Sequence, residues 1–95
     1  MAVNDIVTAH SSVANNASLT IQPGSGAEWL IKNIYYGGAC ELYRTDGTNT
    51  IKIDSDGSAG HRLSVSYLLT NGVYLSLKNV SGGAVYMGYD GLVTK

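Results

Sequence analysis

The chain has 95 residues, which is the length of one small domain. Its six basic and seven acidic residues nearly balance, and the basic residues are dispersed along the chain. This charge pattern argues against a surface that follows a phosphate backbone, so no nucleic acid is expected as a partner. The N-terminal residues lack a signal-peptide pattern, and no run approaches the roughly 18 apolar residues of a membrane span. We therefore expect a soluble protein with no membrane partner.

A domain of this size has a small core and needs reinforcement. The single cysteine, Cys40, cannot form a disulfide within the chain, and neither His10 nor His61 has an obvious ligand neighbour. The sequence therefore predicts no metal and no cofactor, and oligomerisation is the remaining common reinforcement. Charged residues make up only 14% of the chain, below the usual share of about a quarter, which is more common where partners cover the surface.

The first 16 residues are small and polar, and two structures fit them equally well. Residues 1–16 form either an extended arm that becomes ordered against a neighbour or an edge strand that includes Asp5–His10. Residues 17–95 are expected to form a single β-sandwich domain, because glycine-containing turns separate their short apolar segments.

The longest predicted strand is Ala27–Tyr36. A side-chain period of two cannot place Trp29, Ile31 and Ile34 on one face of that strand. Either a β-bulge near Asn33 brings them together, or the strand is buried on both faces.

The other predicted strands alternate apolar and polar residues. They are Ala17–Gln22, Ala39–Arg44, Thr48–Asp54, Arg62–Thr70, Val73–Asn79 and Ala84–Asp90. Pro23 ends the first of them and Gly91 ends the last. Asp46-Gly47 is expected to turn one strand into the next. Asn71-Gly72 is the strongest turn signal, because it suits the two positive-φ positions of a type I′ turn and so predicts a β-hairpin.

These segments predict an all-β protein, with an antiparallel β-sandwich or jelly-roll-like barrel of seven to eight short strands. No stretch sustains the periodicity of a helix. The predicted core residues are Leu19, Ile21, Trp29, Ile31, Leu42, Ile51, Ile53, Leu63, Val65, Leu75, Leu77, Val85 and Met87.

None of the candidate catalytic or binding motifs is complete. Asp54–Ser58 resembles the start of a calcium loop, but the twelfth position is Val65 instead of glutamate. Cys40 is expected to be a buried, unreactive thiol, and His61 a surface or turn histidine. Gly24-Ser25-Gly26 lacks the following helix of a dinucleotide site. We therefore expect no enzyme activity.

Tyrosine is enriched in this chain, which has no phenylalanine. A buried tyrosine hydroxyl needs a hydrogen-bond partner, so several tyrosines are expected at the rim of the core or at subunit contacts. Five tyrosines are candidates for stacking on sugar rings: Tyr35, Tyr36, Tyr74, Tyr86 and Tyr89. Low charge, small size and the missing disulfide favour the subunit contact over the sugar site.

Several strand and turn residues from about residue 17 to the end carry a family resemblance. They are Gly26-Ala27-Glu28-Trp29, Ile31, Asn33-Ile34-Tyr35, Glu41-Leu42-Tyr43, Asp46-Gly47, Thr70-Asn71, Tyr74-Leu75, Lys78-Asn79, Ser81-Gly82 and Gly88-Tyr89-Asp90-Gly91. In these residues the chain resembles small virion proteins of tailed bacteriophages, of the capsid decoration (cement) or accessory structural type. The resemblance implies a β-sandwich or jelly-roll-like unit, usually trimeric, on the outer capsid at symmetry axes, without a catalytic motif.

We accordingly expect a homotrimer that binds the major capsid protein on the virion surface after synthesis in the host cytoplasm. Strand addition from the N-terminal segment and multivalent contact suit that role. The alternatives are a carbohydrate-binding or host-adhesion module on the virion, or a head–tail or tail accessory component. The expected subunit or capsid interface residues are Val3, Asp5, Ile6, Val7, His10, Tyr35, Tyr36, Tyr74 and Tyr89.

Overall fold

The computed structural model describes residues 2–95, in which nine β-strands form two antiparallel sheets around one core. The strands are β1 (Ile6–Val13), β2 (Ser18–Ile21), β3 (Glu28–Tyr36), β4 (Cys40–Thr45), β5 (Thr50–Asp56), β6 (Gly60–Arg62), β7 (Tyr67–Thr70), β8 (Tyr74–Asn79) and β9 (Val85–Val93). The first sheet has the order β1-β9-β3-β6, with β7 also paired to β3. The second sheet has the order β2-β8-β4-β5. The predicted all-β sandwich is confirmed.

Each strand before the turn at Asp46–Asn49 pairs with a strand that lies about as many residues after that turn. β1 pairs with β9, β2 with β8, β3 with β6 and β7, and β4 with β5. The chain is therefore one long hairpin, wrapped so that successive pairs lie in opposite sheets. This is the strand order of a jelly roll, with β6 and β7 together in the place of one strand. No helix among residues 2–95 is long and apolar enough to cross a membrane.

The core lies between the two sheets. Its buried apolar residues are Val7, Val13, Ile21, Ile31, Ile34, Tyr36, Cys40, Leu42, Leu69, Leu75, Leu77, Met87, Tyr89 and Val93. Three other predicted core residues, Leu19, Trp29 and Val85, are partly buried against this cluster. Asn79 is fully buried, and its side-chain amide donates to the carbonyl oxygens of Val13 (2.8 Å) and Gly83 (2.7 Å). This amide ties the second sheet to the end of β1.

Of the two alternatives predicted for this strand, a bulge near Asn33 or burial on both faces, the bulge in β3 is confirmed. The register of β3 against β9 shifts between Ile31 and Asn33, and Ile31 and Ile34 are both buried as a result. Gly91 lies against this bulge, since a Cβ atom there would collide with the carbonyl oxygen of Leu30. Gly91 therefore lies inside β9, which corrects the prediction that it ends the last strand.

The hairpin predicted at Asn71-Gly72 is wrong. β7 pairs with β3 in the first sheet and β8 pairs in the second, so this corner passes between the sheets. Neither residue has a positive φ angle. The Thr70 hydroxyl instead accepts from the N–H groups of Gly72 (3.2 Å) and Val73 (3.1 Å), and the Asn71 side chain donates to the Pro23 carbonyl (3.0 Å). Local turn chemistry signals a change of direction, but long-range pairing decides which strands become neighbours.

The strand predicted over Arg62–Thr70 is interrupted. β6 and β7 pair with parts of β3 on either side of its bulge, so residues 63–66 leave the sheet. Ser64 takes a positive φ of 58°, and the Val65 N–H donates to the Lys32 carbonyl (2.9 Å). Leu63 is therefore exposed and Val65 partly exposed, which corrects their assignment to the core.

Ile51 and Ile53 are also wrongly assigned to the core, because they are 64% and 38% exposed. The register of β5 against β4 shifts between Leu42 and Tyr43. As a result Asp54 and Asp56, two residues apart, lie opposite the buried Leu42 and Cys40. The two carboxylates are partly exposed at this open edge of the sandwich. The guanidinium of Arg62, from the first sheet, binds both of them.

Candidate interaction surface on the first sheet

A row of aliphatic side chains crosses the outer face of the first sheet. Ile6 lies opposite Leu92, Leu92 opposite Leu30, and Leu30 opposite Leu68, so the row spans β1, β9, β3 and β7. Ile6 is 71% exposed and Leu68 65%, while Leu92 and Leu30 are less exposed. We call these four residues the aliphatic row.

This row is unusual for a sheet face that meets only water, since antiparallel sheets normally present polar residues there. Fully burying a Leu or Ile side chain is worth about 1.5–3 kcal/mol. The exposed members of the aliphatic row thus offer several kcal/mol to a partner that covers them, before the cost of association is subtracted. A contiguous apolar patch of this kind marks an interaction site more often than a single exposed leucine does.

Polar contacts centred on Asp90 lie beside the aliphatic row. The Asp90 carboxylate accepts hydrogen bonds from the Asn33 side-chain amide and from the Tyr35 hydroxyl (2.6 Å). The bond to Asp90 raises the pKa of Tyr35, so this hydroxyl stays protonated as a donor. The side-chain oxygen of Asn33 accepts from the Ser64 N–H (3.2 Å), which fixes the detour between β6 and β7. These bonds hold the middle of the outer face rigid.

A row of rings follows on the other side of Asp90. His10, Gly88, Tyr35 and His61 are successive cross-strand neighbours, and we call His10, Tyr35 and His61 the ring row. A Cβ atom at Gly88 would collide with the His10 ring, so the glycine leaves the space that this ring occupies. His10 meets Tyr35 edge to face at 5.9 Å. His10 and Tyr35, together with the 72% exposed Tyr86, line an open depression of about 540 Å³.

The outer face of the second sheet is polar by contrast. Tyr43 donates to Glu41 (2.6 Å), and Lys52 lies 3.4 Å from the other Glu41 oxygen. The bond from Tyr43, with a smaller contribution from Lys52, lowers the pKa of Glu41. The neighbouring cross-strand positions carry Ser18, Thr20, Ser76 and Lys78. This face needs no partner to cover apolar surface.

A charged cluster lies at the edge where β5 approaches β6. The Arg62 guanidinium contacts Asp54 (2.8 Å) and Asp56 (3.5 Å), and the Tyr36 hydroxyl donates to Asp56 (2.7 Å). Arg62 lowers the pKa of Asp54, and the Tyr36 bond lowers that of Asp56. Burial, with help from the Asp56 bond, raises the pKa of Tyr36 to about 12. The segment that resembles the start of a calcium loop thus binds the guanidinium of Arg62 through Asp54 and Asp56.

The structure divides the predicted interface residues into two groups. Those at the surface are Val3, Asp5, Ile6 and His10, which are exposed, and Tyr35 and Tyr74, which are partly exposed. Val7, Tyr36 and Tyr89 are buried in the core of the chain, which corrects their assignment to an interface. These three side chains face the opposite sheet and belong to the buried apolar cluster between the sheets. The sequence prediction missed Leu30, Leu68 and Leu92, although each follows or precedes an inward-facing residue and so points outward.

The candidate catalytic residues remain apart. Cys40 is buried, as predicted, and burial raises its pKa to about 11, so the reactive thiolate is scarce near neutral pH. His61 is exposed on β6 rather than in a loop. Among residues 2–95, no group of three or more His, Cys, Asp or Glu side chains is arranged to hold a metal ion.

The fold and this surface define a jelly-roll β-sandwich with one apolar outer face. In comparison with known proteins, no family model matches the chain, and no curated protein shows significant sequence similarity to it.

Proposed function

We propose that this chain is a structural protein of a bacteriophage virion, a capsid decoration protein that binds the outer shell as a homotrimer and stabilises it. The observation that carries the proposal is the aliphatic row, an exposed apolar strip that has no covering element within residues 2–95. The residues that resemble phage virion proteins support the virion assignment.

The jelly-roll order adds support by analogy, because viral capsid domains often use it. Lectins and cupins use the same fold, so the fold alone does not select a function. The exposed aliphatic row favours a structural protein that assembles with other chains. A shell protein binds many identical sites, and a trimer joins three weak contacts into one durable attachment.

Two measurements test this proposal. Sedimentation velocity should give three times the 10.0 kDa mass of one chain. Electron microscopy of virions, labelled with an antibody against the chain, should place it on the outer shell. A monomer that is absent from particles would reject the proposal, and label on the tail or the connector would favour the accessory component instead.

A second candidate function is carbohydrate binding, which the ring row favours. A pyranose presents an apolar face that stacks on Tyr86 or Tyr35 and hydroxyl groups that can donate to the Asp90 carboxylate. Titration of sugars into labelled protein should then shift the NMR signals of Tyr86 and His10, and Tyr86→Ala should abolish those shifts. The absence of shifts at millimolar sugar concentrations would remove this candidate.

A further inference from the structure

The two sheets have four edges, and three of them are protected against pairing with another chain. β2 has only four residues and is followed closely by the buried Pro23. β5 carries a register shift and the charged Lys52, Asp54 and Asp56. The β6/β7 edge is interrupted at residues 63–66. Short length, proline, charge and irregularity are the features that prevent strand addition at natural sheet edges.

β1 has none of these protections. It is eight residues long, pairs with β9 without a register shift, and contains no Lys, Arg, Asp, Glu, Pro or Gly. Within residues 2–95 no strand pairs with its other edge. A long, uncharged, regular edge strand is a ready template for strand pairing.

The direction of the free hydrogen-bonding groups follows from the β1–β9 ladder. The Val93 N–H donates to the Asp5 carbonyl (2.9 Å), and an antiparallel ladder alternates from there. The residues whose N–H and C=O groups point away from β9 are therefore Ile6, Thr8, His10 and Ser12. They offer four donors and four acceptors along one line.

We infer that β1 pairs antiparallel with β1 of a second copy of this chain, about a twofold axis at Ala9. In this register Ile6 lies opposite Ser12 of the second copy and Thr8 opposite His10 of the second copy. Every outward donor and acceptor then finds a partner. No like charges meet, because β1 contains no acidic residue, lysine or arginine. The other edges of a second copy are protected, so β1 is the complementary strand that a copy can supply.

This contact is closed, because a twofold contact uses the same strand in both copies. Between single chains it therefore gives a pair rather than a fibre. A twofold strand pair cannot lie inside a threefold trimer, so where trimers form it would join one trimer to another. The inference rests on β1 and goes beyond the proposed function.

Cysteine cross-linking tests the register directly. Ala9 would face Ala9 of the second copy in a pair without hydrogen bonds, where the Cα atoms are about 4.5 Å apart and a disulfide can form. We expect Ala9→Cys to give covalent dimers under mild oxidation. Ser12→Cys on the same strand is the matched control, because its two copies would be about 20 Å apart and should remain uncross-linked. Equal cross-linking of both variants, or of neither, would overturn the inference.

Amide exchange of the unmodified protein provides a second readout that needs no variant to fold. As protein concentration rises, exchange at Thr8 and His10 should slow by about tenfold or more, because their N–H groups become bonded. Exchange that stays fast at every concentration would overturn the inference. If the protein forms trimers whose Thr8 and His10 amides exchange fast, the β1 contact is rejected and the proposed function stands. If it forms only dimers in which these amides exchange slowly, the β1 contact stands and the proposed trimer is rejected.

Discussion

The outer faces of the two sheets are built on the same plan and differ in what they present to solvent. In both sheets the outward-facing residues alternate with buried aliphatic residues of the inner face, such as Leu69 in β7 and Leu75 in β8. Outside, the first sheet carries the aliphatic row and the ring row, whereas the second sheet carries Ser, Thr, Glu and Lys side chains. The inner faces explain stability, and only the difference between the outer faces indicates where a partner binds.

The edges repeat this contrast. The second sheet ends in a short strand and a bulged, charged strand, while the first sheet ends in the long, uncharged β1. The apolar face and the free edge belong to the same sheet and meet at Ile6. We infer from this coincidence that the first sheet is the assembly side of the molecule.

The largest effect is expected in the core that both sheets share. Leu75→Ala should lower the free energy of unfolding by about 2–5 kcal/mol, because it removes a fully buried side chain and leaves a cavity. Ile51→Ala is the matched control, and it should change stability by no more than about 0.5 kcal/mol because the side chain is mostly exposed. Urea denaturation measures both, and similar losses would contradict the arrangement of β5.

A smaller effect is expected at the bulge that shapes the first sheet. Gly91→Ala should cost about 1–3 kcal/mol, since its Cβ atom would press on the backbone of Leu30 and Ile31. Gly57→Ala provides the control near the edge of the second sheet, because nothing lies within 4 Å of a Cβ atom there. Urea denaturation should show little change for Gly57→Ala. An equally mild Gly91→Ala variant would argue against the close approach of β9 to β3.

The charged cluster should give the protein a modest sensitivity to acid. The pKa values of Asp54 and Asp56 are lowered in the folded state, so these groups add stability above the unfolded pKa of about 3.9. That stability is lost as pH falls through their lower folded values. Arg62→Gln should therefore reduce the fall in urea midpoint between about pH 5 and pH 2. Lys32→Gln, which removes a cation bonded to Ser66, should leave the fall nearly unchanged.

Local patterns were sufficient for the features that local contacts decide. The spacing of Trp29, Ile31 and Ile34 predicted either a bulge in β3 or burial on both faces, and the bulge is present. Asp46-Gly47 predicted the β4–β5 turn. Asn71-Gly72 has similar turn chemistry, yet it joins two sheets because pairing with β3 determines the position of β7. No residue near Asn71-Gly72 in the sequence indicates that β7 pairs with β3.

The surface was harder to predict for the same reason. Leu30, Leu68 and Leu92 come from three distant segments, and they form a row only after β3, β7 and β9 have paired. Ile51 and Ile53 show the converse, because their alternating pattern looks buried. Ile53 lies at the register shift in β5, and Ile51 lies opposite Arg44 on an edge strand, so neither is covered. Alternation shows that a strand has two faces, but the register decides which one is covered.

The most direct test of the assembly side compares one charge placed on each outer face. Leu68→Asp lies in the aliphatic row and Thr20→Asp on the polar face, and both positions are exposed, so neither should alter folding greatly. In sedimentation velocity, at a protein concentration too low for β1 pairing, the unmodified protein and Thr20→Asp should be trimeric, while Leu68→Asp should dissociate to monomers. Leu68→Asp that stays trimeric, or dissociation caused by Thr20→Asp instead, would contradict the assignment of the first sheet as the assembly side.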